Sequence, residues 1–165
     1  FAVLSLERSA ENISPTEAEN EENPLAPLGK EILENLEAEF FTLEEKNMTS
    51  IKEAVEKSLA LPDDVTASIA VGVVVNNILY AYAKGKGKVS IKRGDSLGTI
   101  LEAGSELSSS SGFLEDKDIL IFQTVQFAEI VSNETLTKLL DSQPVTEIAE
   151  TLAPLIHGKE RRRTS

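Results

Sequence analysis

The segment Val65-Thr66-Ala67-Ser68-Ile69-Ala70-Val71-Gly72-Val73-Val74-Val75, then Asn76-Asn77, then Ile78-Leu79-Tyr80-Ala81-Tyr82-Ala83-Lys84-Gly85 decides the fold. Its first part is β-branched and almost wholly apolar, the composition of a strand buried on both faces. Two asparagines supply a tight turn. Ile78, Tyr80 and Tyr82 then alternate on one side of a returning strand. Lys84-Gly85-Lys86-Gly87-Lys88 reads as the next hairpin turn, Val89–Lys92 as the next strand and Arg93-Gly94-Asp95-Ser96 as another turn, so the region is expected to be an antiparallel meander. A further strand is expected over Asp118–Thr124, after a Gly- and Ser-rich stretch from Gly104 to Gly112.

Helices flank this sheet region on both sides. Leu28, Ile32, Leu36 and Phe40 recur every four residues, with Glu31, Glu34, Glu37 and Glu39 largely opposite. Ser50 and Glu53 suggest a capping box for a second helix carrying Ile51, Val55 and Leu59, with Pro62 just past its end. Asn133 is expected to cap a short helix to Leu140, and Val145, Ile148, Leu152 and Leu155 mark a last one that Pro154 bends. The fold class expected is α+β, an antiparallel β-sandwich flanked by helix pairs and incomplete at both termini. One domain spans 1–158, with a flexible acidic loop at 7–27, and 159–165 form a basic disordered tail.

Composition narrows the chemistry. The chain of 165 residues has no Cys, a single His (His157), and 28 acidic against 16 basic side chains, a net charge of -12. No thiolate nucleophile, disulfide or Cys-ligated metal is available. The acidity argues against a nucleic-acid or membrane partner, because phosphates are repelled. No apolar run approaches the ~20 residues of a membrane span. A cytoplasmic location is expected. The acidic excess sits in the first 60 residues, while 61–112 are charge-balanced. Asp63-Asp64 and Glu115-Asp116-Lys117-Asp118 invite a cation-site reading, but turn and cap roles account for both. Lys84, Lys86 and Lys88, alternating with glycine, are candidate phosphate-binding residues.

Thr66–Val75 with Ile78–Gly85 resembles the paired strands of metal-dependent serine/threonine phosphatases of the 2C (PPM) type. Ser111-Gly112-Phe113-Leu114-Glu115-Asp116-Lys117-Asp118-Ile119-Leu120-Ile121-Phe122 resembles that family's entry to its Ser/Thr-Asp-Gly motif, and Phe127–Leu140 its following helix and cap. Phe1-Ala2-Val3 resembles the strand ending in the family's first aspartate motif. The resemblance implies a pair of Mg²⁺ or Mn²⁺ ions held by aspartates, with a bridging hydroxide attacking phosphorus. The corresponding positions here hold Ser5, Lys86 and Val125, none a carboxylate. The expectation is therefore a phosphatase-like domain with no cofactor and a binding or regulatory role, whose partner is a phosphoprotein or regulatory protein. The alternatives are a divergent but active Mg²⁺- or Mn²⁺-dependent phosphatase and an unrelated structural sandwich domain.

Overall fold

The computed structural model describes residues 1–9 and 25–163. Strand β2 (Val65–Val75) organises it. Ala67, Ile69 and Val71 point to one side, into a core shared with helices α1 (Ala26–Thr42) and α2 (Met48–Ser58). Ala70, one step out of phase, points into a second core on the opposite face. Both faces are thus covered, which is why the strand carries so few polar residues.

Strand β1 (Ala2–Arg8) pairs antiparallel with β2, β2 with β3 (Ile78–Lys84), and β3 with β6 (Ser108–Phe113), giving the sheet order β1-β2-β3-β6. A second sheet, order β5-β4-β7, is formed by β4 (Lys88–Arg93), β5 (Ser96–Glu102) and β7 (Ile119–Gln123). Ala70, Leu79 and Ala81 of the first sheet meet Val89, Leu101, Leu120 and Phe122 of the second. The layers are α1 and α2, first sheet, second sheet, then α3 (Val125–Ile130), α4 (Asn133–Ser142) and α5 (Val145–Arg163), whose Val131–Leu136–Ile148–Leu152 core receives Ile121 from β7. The α+β sandwich of two antiparallel sheets between helical layers agrees with the sequence expectation.

Several local expectations change. The single meander is two hairpins in different sheets, because β3 finds its outer partner in β6 and β4 finds its own in β7. Lys84–Lys88 is accordingly a crossover between sheets. The amides of Gly85 and Lys86 donate to the Gly104 carbonyl (2.9 and 3.4 Å). Asn47, not Ser50, caps α2: the Asn47 side chain accepts from the Ser50 amide (2.9 Å) while the Ser50 hydroxyl accepts from the Asn47 amide (3.0 Å). Ser132 caps α4 through the Thr135 amide (3.2 Å), one residue before Asn133.

Glu7 and Arg8 end β1 and Ala26–Pro27 begin α1, so both margins of the expected 7–27 loop are regular structure, and its interior lies outside the described residues. Within the expected tail α5 continues to Arg163, since Lys and Arg are good helix formers that suit a C-terminal dipole, and 164–165 lie outside the described residues. Lys159 anchors it by donating to the Ile130 carbonyl (2.7 Å). No helix among the described residues is long and apolar enough to cross a membrane.

Candidate functional site

Three sequence positions far apart in the chain meet at one place. Ser5 in β1 lies directly opposite Ser68 in β2. The Ser68 hydroxyl accepts a hydrogen bond from the Val125 amide (2.9 Å) at the start of α3, and the Ser5 hydroxyl donates to the Gln126 side-chain carbonyl. Lys86, on the crossover turn, lines the same cleft of about 380 Å³ as Ser68, Val125 and Gln126. Glu7 and Glu129 complete its charged lining.

The crossover turn is built by its glycines. Gly85 has φ +62°, and a Cβ there would stand 1.9 Å from the Ala67 carbonyl oxygen; at Gly87 it would stand 2.0 Å from that of Ile69. Only glycine lets the turn lie this close over the backbone of β2. Lys86 between them also takes the left-handed conformation, φ 62°, and its side chain is exposed. Of the three candidate lysines, Lys86 alone lines this cleft. Lys84 borders a separate depression with Lys52, Glu56 and Glu106, and Lys88 lies in β4 between Glu102 and Gln123. A larger apolar groove of about 520 Å³ beneath α1, lined by Phe1, Leu36, Phe40 and Val73, contains none of the candidate positions.

The acidic pairs behave as structural groups. Asp64 faces Arg8 at 3.4 Å. Asp118 takes a two-pronged contact from Arg93 (Nε–Oδ1 2.9 Å, Nη2–Oδ2 2.7 Å) and accepts the Glu115 amide at 2.7 Å. The Arg93 hydrogen bond, then the backbone one, hold its carboxyl down from 3.8 to about 2. A depressed carboxylate stabilises the fold above its unfolded value and stops doing so as pH falls through its folded value. Asp118→Asn is therefore expected to lower the urea midpoint at pH 6, with the difference from wild type closing between about pH 4 and pH 2. A pH-independent difference would show that Asp118 does not titrate as this contact requires.

The sequence matches no protein-family model and no curated protein. The structure, by contrast, has close counterparts. The catalytic domain of the serine threonine protein phosphatase PstP, in complex with 2 manganese ions, superimposes with a TM-score of 0.69 at 12% identity, over 94% of this chain and 79% of the other. PppA, a key regulatory component of T6SS in Pseudomonas aeruginosa, gives 0.63 at 11% identity over 94% and 78%. The photosystem II phosphatase PBCP gives 0.64 at 16% over 93% and 71%. This chain has the PPM phosphatase fold.

On the PPM fold, the cleft would be asked to hold hard divalent cations, which need several oxygen ligands. Glu7 and Glu129 line it, but the three positions that the resemblance assigns to metal ligands do not fit. Lys86 brings a positive charge, Val125 brings no lone pair on its side chain, and the Ser5 hydroxyl is committed to Gln126. Among the described residues no three His, Asp or Glu side chains come together as a metal-holding group. No sequence signal singles out Ser68, Gln126 or Glu129; their roles follow from what they face, which no local motif encodes.

Proposed function

We propose that this PPM-fold chain is non-catalytic and acts by binding, as a regulatory domain toward a phosphoprotein or another regulatory protein. The observation that carries this reading is one cleft lined by Lys86 and Val125, with Ser5 hydrogen-bonded to Gln126 of its wall. An ammonium group repels a divalent cation, and an isopropyl group cannot coordinate one. That PppA is a regulatory component is consistent with regulatory use of this fold. Lys86 is the cleft's basic side chain among the described residues and the natural contact for a phosphate, as a point charge on a flexible stem.

The test pairs two measurements. Hydrolysis of an aryl phosphate with added Mn²⁺ is expected to equal the rate in chelator, and calorimetry with Mn²⁺ to show no binding heat. Titration with a phosphoserine peptide is expected to weaken about tenfold in Lys86→Ala, the equivalent of one contact worth about 1.4 kcal/mol. An unchanged affinity would remove the phosphate role of Lys86. Glu7 and Glu129 in the cleft favour one second reading, a divergent Mg²⁺- or Mn²⁺-dependent phosphatase. Turnover that chelator abolishes would establish that reading instead.

A further inference from the structure

We infer that hydrogen bonds made at two serines, rather than a bound cation, fasten the start of α3 to the first sheet and so hold the cleft in shape. Ser5 and Ser68 are cross-strand neighbours on β1 and β2. They stand on the face opposite Leu4, Leu6, Ala67 and Ile69, which pack under α1 and α2. From that face Ser5 takes the Gln126 side chain and Ser68 takes the Val125 backbone amide. Thr124 completes the join by accepting the Phe127 amide (3.4 Å) with its own hydroxyl.

The consequence is specific to this cleft. Val125 and Gln126 are the first two residues of α3, so their amides have no partner within the helix. Ser68 is buried, and it satisfies one of those amides with a neutral acceptor that needs no metal. Strand, neighbouring strand and helix start are thereby tied at adjacent positions by groups that do not change charge. We assign Ser5, Ser68 and Gln126 a positioning role: their mutual contacts set where Val125 and the cleft wall sit.

This inference goes beyond the non-catalytic reading, and the two fail separately. The full chain and the variants Ser68→Ala and Ser5→Ala are compared by thermal unfolding and amide hydrogen exchange, with Mn²⁺ or with chelator. In wild type, neither addition is expected to move Tm or the exchange of the Val125 amide. Ser68→Ala is expected to lower Tm by about 2–4 °C, the usual response of a chain this size to one lost hydrogen bond. It should also speed exchange at Val125 about tenfold or more while leaving the amides of Ile51 and Val55 in α2 unchanged. Ser5→Ala should loosen Gln126 and Phe127 in the same local way. Unaltered exchange at the α3 start in both variants would overturn the inference and leave the binding function untouched. A wild-type Tm raised by Mn²⁺ without turnover would also overturn it, whereas chelator-sensitive turnover is the result that overturns the proposed function.

Discussion

Gly85→Ala is expected to yield a chain that does not reach its native fold. Two costs coincide at this position. A residue with a Cβ pays about 1–2 kcal/mol for the left-handed conformation, which Gly85 holds at φ +62°. The new Cβ would also stand 1.9 Å from the Ala67 carbonyl oxygen and 2.9 Å from its carbon. That carbonyl belongs to β2, an interior strand paired on both sides, so neither partner can retreat without breaking the sheet. The total should exceed about 4 kcal/mol, a value single substitutions rarely reach, against a stability typically about 5–15 kcal/mol. Gly94→Ala is the control. Gly94 has φ +58°, but a Cβ there would meet no atom within 4 Å, so only the conformational cost remains, about 1 kcal/mol. Urea midpoints and near-ultraviolet circular dichroism of the two variants separate these cases. Equal midpoints would mean that the crossover does not lie over β2 as described.

The second large effect centres on Tyr82. Its ring is fully buried in the core between the first sheet and α1–α2, and its hydroxyl donates to the Met48 carbonyl at 2.9 Å. Tyr82→Ala should cost about 3–5 kcal/mol, the range for emptying an aromatic site. Tyr82→Phe keeps the ring and loses the hydrogen bond, about 1 kcal/mol. Burial, with Tyr80 nearby, pushes the phenol from 10.0 up to about 12. The neutral phenol is therefore favoured in the folded chain. The corresponding stability is complete below pH 10 and is lost as pH rises from about 10 to 12, where the unfolded chain ionises first. Wild type should weaken across that window, and Tyr82→Phe should respond less there. Parallel pH profiles for the two proteins would rule out a buried, neutral Tyr82.

The sheet and helix elements were legible wherever a periodic apolar face meets a core. Ile32 and Leu36 of the α1 stripe are buried, as are Ile148 and Leu152 of α5. The ends of the α5 stripe are not: Val145 and Leu155 are 58% and 46% exposed, and Ile156 rather than Leu155 packs on the core of Ile148 and Leu152. Strand β6 escaped notice because Ser108–Ser111 carry no apolar alternation; as an edge strand it is largely exposed and held by its backbone ladder to β3. The crossover resembled a hairpin turn because glycine chemistry reports a tight bend, not which strand lies across it. The α2 start was displaced because Asn47 and Ser50 are both competent caps, and their reciprocal bonds use both.

The cleft was legible in a different way. Nothing in composition or spacing links Ser5, Lys86 and Val125; the family resemblance linked them, and the structure puts Lys86 and Val125 on one cleft with Ser5 bonded to Gln126 in its wall. Ser68 and Gln126 carried no signal because a serine in a strand and a glutamine opening a helix are ordinary until their partners are known. The lysine trio had a sequence pattern but no shared location, since one residue lies before the crossover, one on its tip and one beyond it in the other sheet.

The crossover turn divides its three middle residues into two kinds. Gly85 and Gly87 are pinned by β2 beneath them, whereas the side chain of Lys86 extends into solvent at the cleft mouth. The turn is thus a rigid mount with an exchangeable tip. Position 86 can change with little consequence for folding among residues that accept its left-handed backbone, φ 62°, so the charge presented to the cleft is only loosely tied to the scaffold that presents it. On such a scaffold, one side chain can reset the charge at the cleft mouth while the two glycines keep the sandwich beneath it unchanged.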